Sequence, residues 1–209
     1  MGNPLGRRRP RPPIPHTLTV LPDGNVLVTG GGSTTESTDS SVGVLAAEMW
    51  SPATESWTTM ASGQVARLYH SIALLLPDAR VLVAGGGRVV DGTDPSIKLN
   101  AEIYSPPYLF KGTRPTITSA PTDVPYNSTF VVQAPNATQI ASVELIRLGA
   151  VTHAFNNEQR FLNLTFQQLS GSLNIQAPAN ANLAPPGYYM LFIVNDSGVP
   201  SVAATMRVD

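Results

Sequence analysis

The 209 residues contain no cysteine. That absence excludes disulfides, thiolate zinc sites, iron–sulfur clusters and a cysteine nucleophile. It leaves the compartment open, because many secreted proteins also lack disulfides. Charge is scarce too: Asp, Glu, Lys and Arg make up 13% of the chain, about half the usual ~25%. A coiled coil or a highly charged disordered chain is thereby excluded. Net charge is −1, and four of the 13 basic residues, Arg7, Arg8, Arg9 and Arg11, share one N-terminal tract. The remainder sets nine basic side chains against 14 acidic ones, so no nucleic-acid partner is expected. No apolar run approaches the ~18 residues of a membrane span, and no membrane partner is expected. The basic N-terminus lacks the apolar stretch of ~7–15 residues that follows it in a signal peptide. Residues 1–13 read as a Pro/Arg tail without fixed structure.

Turn residues are abundant, with 17 Gly and 19 Pro. They punctuate an internal repeat. Leu21-Pro22-Asp23-Gly24-Asn25-Val26-Leu27-Val28 before Gly30-Gly31-Gly32 recurs as Leu76-Pro77-Asp78-Ala79-Arg80-Val81-Leu82-Val83 before Gly85-Gly86-Gly87. Ala47-Glu48-Met49-Trp50-Ser51-Pro52 recurs as Ala101-Glu102-Ile103-Tyr104-Ser105-Pro106. Strands split by Pro-Asp turns are hairpins, and unbroken Val/Leu runs mean burial on both faces. Each unit resembles a kelch blade, with Trp57 on its fourth strand. The two units span residues 14–112. Beyond them, residues 113–209 carry short alternating strands about every ten residues, over 129–133, 142–148, 151–155, 161–166, 172–176, 188–194 and 202–208. Seven such strands without helical periodicity read as an immunoglobulin-like β-sandwich. The expected fold is all-β: two kelch-type blades of an incomplete propeller, then the sandwich.

Histidine is limited to His16, His70 and His153, so an imidazole metal site has at most three such donors. Counting back from the aligned prolines sets His16 opposite Ser71, one residue out of register with His70. A one-residue offset turns a strand side chain to the other face, and His16 is not expected to be a ligand.

Arg67-Leu68-Tyr69-His70-Ser71, followed by an apolar run and Pro77-Asp78, is similar to the last propeller blade of the galactose oxidase and glyoxal oxidase family. Residues 142–160, with Gly149, Thr152-His153 and Asn156, resemble that family's C-terminal sandwich. Pro185-Pro186-Gly187-Tyr188-Tyr189-Met190-Leu191-Phe192 and Val199-Pro200-Ser201 extend the likeness almost to the end. The resemblance implies one copper ion on the propeller axis, with Tyr69 as axial phenol and catalytic proton acceptor. It implies His70 and His153 as equatorial ligands, the latter on a sandwich loop that reaches into the propeller channel. Nitrogen and oxygen donors suit Cu(II); the alternative is that the three residues survive as a structural remnant. The family's second redox centre is a tyrosine cross-linked to a cysteine, and a chain without cysteine cannot form it. Fold kinship alone does not carry activity, so a truncated metal-binding relative without oxidase activity is expected.

Two other functions compete with that one. A bound zinc or copper ion with open positions could activate water for hydrolysis of aryl esters or phosphotriesters. A non-enzymatic module binding carbohydrate, another small molecule or protein is the third. There is no Gly-x-Ser-x-Gly elbow, and no helix is expected after either glycine triplet, so neither is a phosphate loop. Asn127, Asn136, Asn163 and Asn195 head Asn-x-Ser/Thr sequons, which permit glycosylation on a secretory route. The family resemblance points to secretion; the N-terminal sequence does not. Two blades would leave apolar outer faces beyond the ~300–600 Å² patch usual for a monomer. A homo-oligomer is expected to cover them: a dimer, or a trimeric or tetrameric ring.

Overall fold

A computed structural model describes residues 16–33, 39–87 and 97–209. The Pro/Arg tract at 1–13 lies outside them. The described residues form an all-β protein with several antiparallel sheets and three short 3₁₀ turns, but no α-helix. Its contacts divide into two compact units, and the division does not fall at one point in the chain. One unit comprises residues up to Leu75 with Val81–Tyr104 and Gly149–Asn157; the other comprises Leu76–Arg80, Ser105–Leu148 and Glu158–Asp209.

The first unit contains the two sequence repeats. Strands β1 (Thr17–Val20), β2 (Val26–Thr29), β3 (Ala46–Ser51) and β4 (Ser56–Ser62) form an antiparallel meander in the order β1-β2-β3-β4. Trp50 and Trp57 are directly paired across β3 and β4, with ring centroids 5.3 Å apart. In the second repeat, β5 (Ser71–Leu75), β6 (Val81–Gly85) and β7 (Ala101–Tyr104) form a three-stranded sheet in chain order. Ser105-Pro106-Pro107 ends β7, and a 3₁₀ turn at Pro107–Phe110 follows. Prolines donate nothing to a ladder, so this repeat gains no fourth strand after β7. The Pro-Asp turns are built alike. Asp23 Oδ1 accepts from Asn25 N at 3.1 Å, and Asp78 Oδ1 accepts from Arg80 N at 3.0 Å.

The second unit contains β8 (Asp123–Val124), β9 (Thr129–Gln133) and β10 (Ile140–Arg147). A separate hairpin, β11 (Val151–Thr152) with β12 (Phe155–Asn156), belongs to the first unit. The second unit continues with β13 (Phe161–Asn163), β14 (Phe166–Leu169), β15 (Ser172–Gln176), β16 (Gly187–Asn195) and β17 (Ala204–Val208). One sheet runs β13-β10-β16-β17-β8, the other β14-β15-β9. Their inward residues, among them Val132, Leu145, Leu173, Ile175, Leu191 and Met206, share one buried core. Strands β9 and β15 bury alternate residues, as a half-buried strand must.

Three expectations for this region change. The strand expected over 151–155 is a two-stranded hairpin, because His153 and Ala154 take positive φ of 52° and 58° and reverse the chain. The strand expected over 161–166 divides between the sheets: β13 pairs with β10 and β14 with β15, and buried Leu164 makes the crossing. The last strand starts at Ala204 rather than 202. Ahead of it, Ala203 N–H donates to the Pro77 carbonyl at 2.8 Å and so does not join the ladder.

Candidate metal centre

The residues at 67–70 form the turn that delivers the chain into β5. Arg67 and Leu68 are each 2% exposed, Tyr69 is half-buried and His70 is exposed. His70 lies immediately ahead of β5, at φ 62°. A β-carbon residue at positive φ is uncommon and costs of the order of 1 kcal/mol or more. Both His70 and His153 are in this state.

Two glycine clusters make room for the turn. A Cβ on Gly30 would lie 2.5 Å from the Arg67 carbonyl oxygen, so only glycine allows this approach. The neighbouring Gly31 N–H donates to that same carbonyl at 2.7 Å. From the other side, Gly87 N–H donates to the Tyr69 carbonyl at 2.7 Å. His70 Nδ1 lies 3.2 Å from the Gly87 carbonyl. A carbonyl only accepts, so Nδ1 carries the proton and Nε2 of the neutral ring is left with its lone pair.

The β11–β12 hairpin brings in His153. Its Ala154 N–H donates to the Ser71 carbonyl at 2.9 Å, one residue beyond His70. The Asn156 side chain closes the hairpin by accepting from Ala150 N–H at 3.0 Å. Gly149 packs so closely that a Cβ there would meet Leu74 Cδ1 and Asn156 Nδ2, each at 2.7 Å. Thr152 Oγ1 lies 2.6 Å from His153 Nδ1, so this imidazole too is held through Nδ1.

The three rings meet. Tyr69 and His70 have centroids 4.0 Å apart, Tyr69 and His153 5.7 Å, and His70 and His153 4.4 Å with planes at 74°. Two imidazoles bound at right angles to one ion, at about 2 Å each, have centroids roughly 4.5 Å apart. The pair is therefore spaced for adjacent positions on a single ion. The donor set, two imidazoles and a phenol, is one that Cu(II) accepts. Among the described residues there is no group of three His, Cys, Asp or Glu side chains, so any ion here depends on the phenol or on donors from outside.

Residues 114–208 match the family model "Galactose oxidase-like, Early set domain". Over 200 residues the chain is 38% identical to a galactose oxidase of Gibberella zeae, a match covering 92% of this chain and 29% of that protein. Over 165 residues it is 36% identical to the aldehyde oxidase GLOX of Vitis pseudoreticulata, covering 72% and 31% of the two. A fungal alcohol oxidase of the AA5 family, solved in complex with copper, superposes with a TM-score of 0.86 at 33% identity. The match takes in 92% of this chain and 42% of that one.

The chain is homologous to galactose oxidase and the glyoxal oxidases.

It spans about 29% of the length of the galactose oxidase, so it corresponds to a part of such an enzyme. Within this galactose oxidase-like chain, the segments carrying Tyr69, His70 and His153 are brought together from positions up to 84 residues apart. Reading the sequence did not find Arg67 as a structural member of the site. Its signal was a lone cation within Val65-Ala66-Arg67-Leu68, in a chain where charge is scarce. Nor did that reading give the glycine triplets their part in seating residues 67–70.

Proposed function

We propose that this galactose oxidase-like chain binds one copper ion through Nε2 of His70, Nε2 of His153 and the phenol of Tyr69, and holds it without oxidising alcohols or aldehydes. The observation that carries the reading is the meeting of the three rings, with His70 and His153 centroids 4.4 Å apart. We read β1–β4 and β5–β7 as kelch-type blades and the early set domain as an immunoglobulin-like sandwich.

A bound copper ion would supply a one-electron acceptor and a Lewis acid. The chain's own residues prepare the site. The Gly87 carbonyl holds the proton on His70 Nδ1, which keeps Nε2 available. Thr152 orients His153 through the other ring nitrogen; such outer contacts set the orientation and basicity of a ligand. Tyr69 sets a phenol beside both imidazoles, where Oη can take up or hold a proton. Removing two electrons from an alcohol or aldehyde requires a second redox centre. With no cysteine in the 209 residues, a cysteine-linked tyrosine cannot form within this chain. A zinc-hydroxide hydrolase typically uses three His or carboxylate ligands, and no such group occurs among the described residues.

Calorimetric titration with Cu(II) tests the proposal. One ion per chain is expected, with binding lost in His70→Ala and His153→Ala and retained in His16→Ala. Aerobic assays of the copper-loaded chain with galactose or glyoxal should give no peroxide above a free-copper blank. Binding that survives both site substitutions, or robust turnover, would overturn the reading.

A further inference from the structure

Arg67 has its guanidinium buried and held by oxygens of Gly85, Asn100 and Glu102. Nη1 donates to the carbonyls of Gly85 and Asn100, both at 2.9 Å. Nη2 lies 3.3 Å from Glu102 Oε2, while Glu102 Oε1 accepts from Gln64 N–H at 2.6 Å. Glu102 is thus held on one side by backbone and holds the guanidinium on the other. The Arg67 carbonyl is fixed independently by Gly31.

Gly85 ends β6 opposite Ser71, and the Arg67 side chain adds a hold where the ladder gives way to glycine. Gly85, Gly86 and Gly87 are consecutive and all at positive φ, 66°, 125° and 103°. Glycine has more backbone freedom to lose than any other residue. Two residues beyond the carbonyl that Arg67 grips, Gly87 makes both contacts to the site: N–H to the Tyr69 carbonyl and carbonyl to His70 Nδ1. A closed circuit results. It runs from Arg67 through its side chain to Gly85, along the glycines to Gly87, and back to Tyr69 and His70. Opening it at the guanidinium removes one hold on this run, leaving the Lys98 N–H that donates to the Gly86 carbonyl at 3.0 Å, and loosens the acceptor that fixes the His70 tautomer.

We propose that Arg67, steadied by Glu102, is a positioning residue that holds Gly87 where its carbonyl keeps the proton on His70 Nδ1 and leaves Nε2 for a metal. The metal arm of this inference rests on the copper reading; the tautomer arm does not. A planar five-donor fork grips two carbonyls and a carboxylate at once, and lysine, a point charge, cannot. Glu102→Gln keeps an oxygen for Gln64 but turns an amide donor or a neutral acceptor towards Nη2, which weakens the grip with little change of shape.

The test compares wild type, Arg67→Lys and Glu102→Gln. In metal-free protein, long-range ¹H–¹⁵N spectra of the His70 ring report which nitrogen carries the proton. Wild type is expected to show the Nδ1–H form. Arg67→Lys is expected to show a mixture, and Glu102→Gln a smaller change of the same kind. Cu(II) titration should then give a dissociation constant about tenfold or more higher in Arg67→Lys, the usual range for loss of an outer-shell contact. If Arg67→Lys fails to fold, Glu102→Gln alone decides. Variants that melt at lower temperature but keep the wild-type tautomer and copper affinity would show Arg67 to be structural only, and would overturn the proposal. If wild type takes up no copper while the tautomer still responds to both substitutions, the copper reading fails and the positioning role stands.

Discussion

At the scale of single residues, the meeting of Tyr69, His70 and His153 depends on side chains outside those three. Thr152 shows this most simply. Its hydroxyl, 2.6 Å from His153 Nδ1, is the contact that sets the angle of that ring, and it lies on an exposed two-residue strand with little else to do. Thr152→Val keeps the branched shape and removes the oxygen. Copper affinity is expected to fall about 10–100-fold, with the melting temperature nearly unchanged because the residue is exposed. Titrating the variant by calorimetry checks this, and an unchanged affinity would mean that the hairpin backbone alone orients His153. The strained φ values of His70 and His153 point the same way. Each imidazole is presented from a tight reversal, where a small loss of support is felt directly.

Among the elements, the glycine triplets seat the turn at residues 67–70 from two sides. Gly30 is the stricter case: the atom that a Cβ would strike, 2.5 Å away, is the Arg67 backbone oxygen, and φ is +69°. Gly30→Ala should therefore displace the whole turn rather than one rotamer. It is expected to destabilise the protein by about 1–3 kcal/mol, read by chemical denaturation, and to weaken copper binding as well. A wild-type midpoint would show that the turn can yield.

The elements also divide by how plainly they could be read beforehand. Strands β9 and β15 fall where alternation predicts them, at Thr129–Gln133 and Ser172–Gln176, because one face of each is buried and period two is then enforced. The two Pro-Asp hairpins are legible from their turn residues, since Asp23 and Asp78 each accept from the backbone two residues ahead. The β11–β12 hairpin was not, since Thr152-His153-Ala154-Phe155 contains none of the Asn-Gly or Asp-Gly signals of a tight turn. Its reversal uses two non-glycine residues in the left-handed region, which local propensity disfavours and tertiary contacts hold. Tyr69, His70 and His153 could be singled out from resemblance and scarcity. Arg67 could not, because a buried arginine is recognised by its acceptors, and three of them are backbone or side-chain oxygens 18 to 35 residues away.

For the whole molecule, few charges are available to keep apolar surface apart. Leu18, Leu45 and Ile103 of the first unit are 40%, 43% and 44% exposed. Light scattering of the 209-residue chain is expected to give a mass above 22.1 kDa, as a dimer or a small ring that covers such faces. A stable monomer at every dilution would refute this.

The central claim is that two imidazoles, both held through Nδ1, share one copper ion. Electron spin echo modulation of the Cu(II)-loaded protein tests it most directly, because it detects the remote nitrogen of each bound imidazole. Two imidazoles are predicted in the wild type, and His153→Ala is expected to hold no copper and give no such modulation. A wild-type spectrum without imidazole modulation, or one unchanged by His153→Ala, would contradict the account.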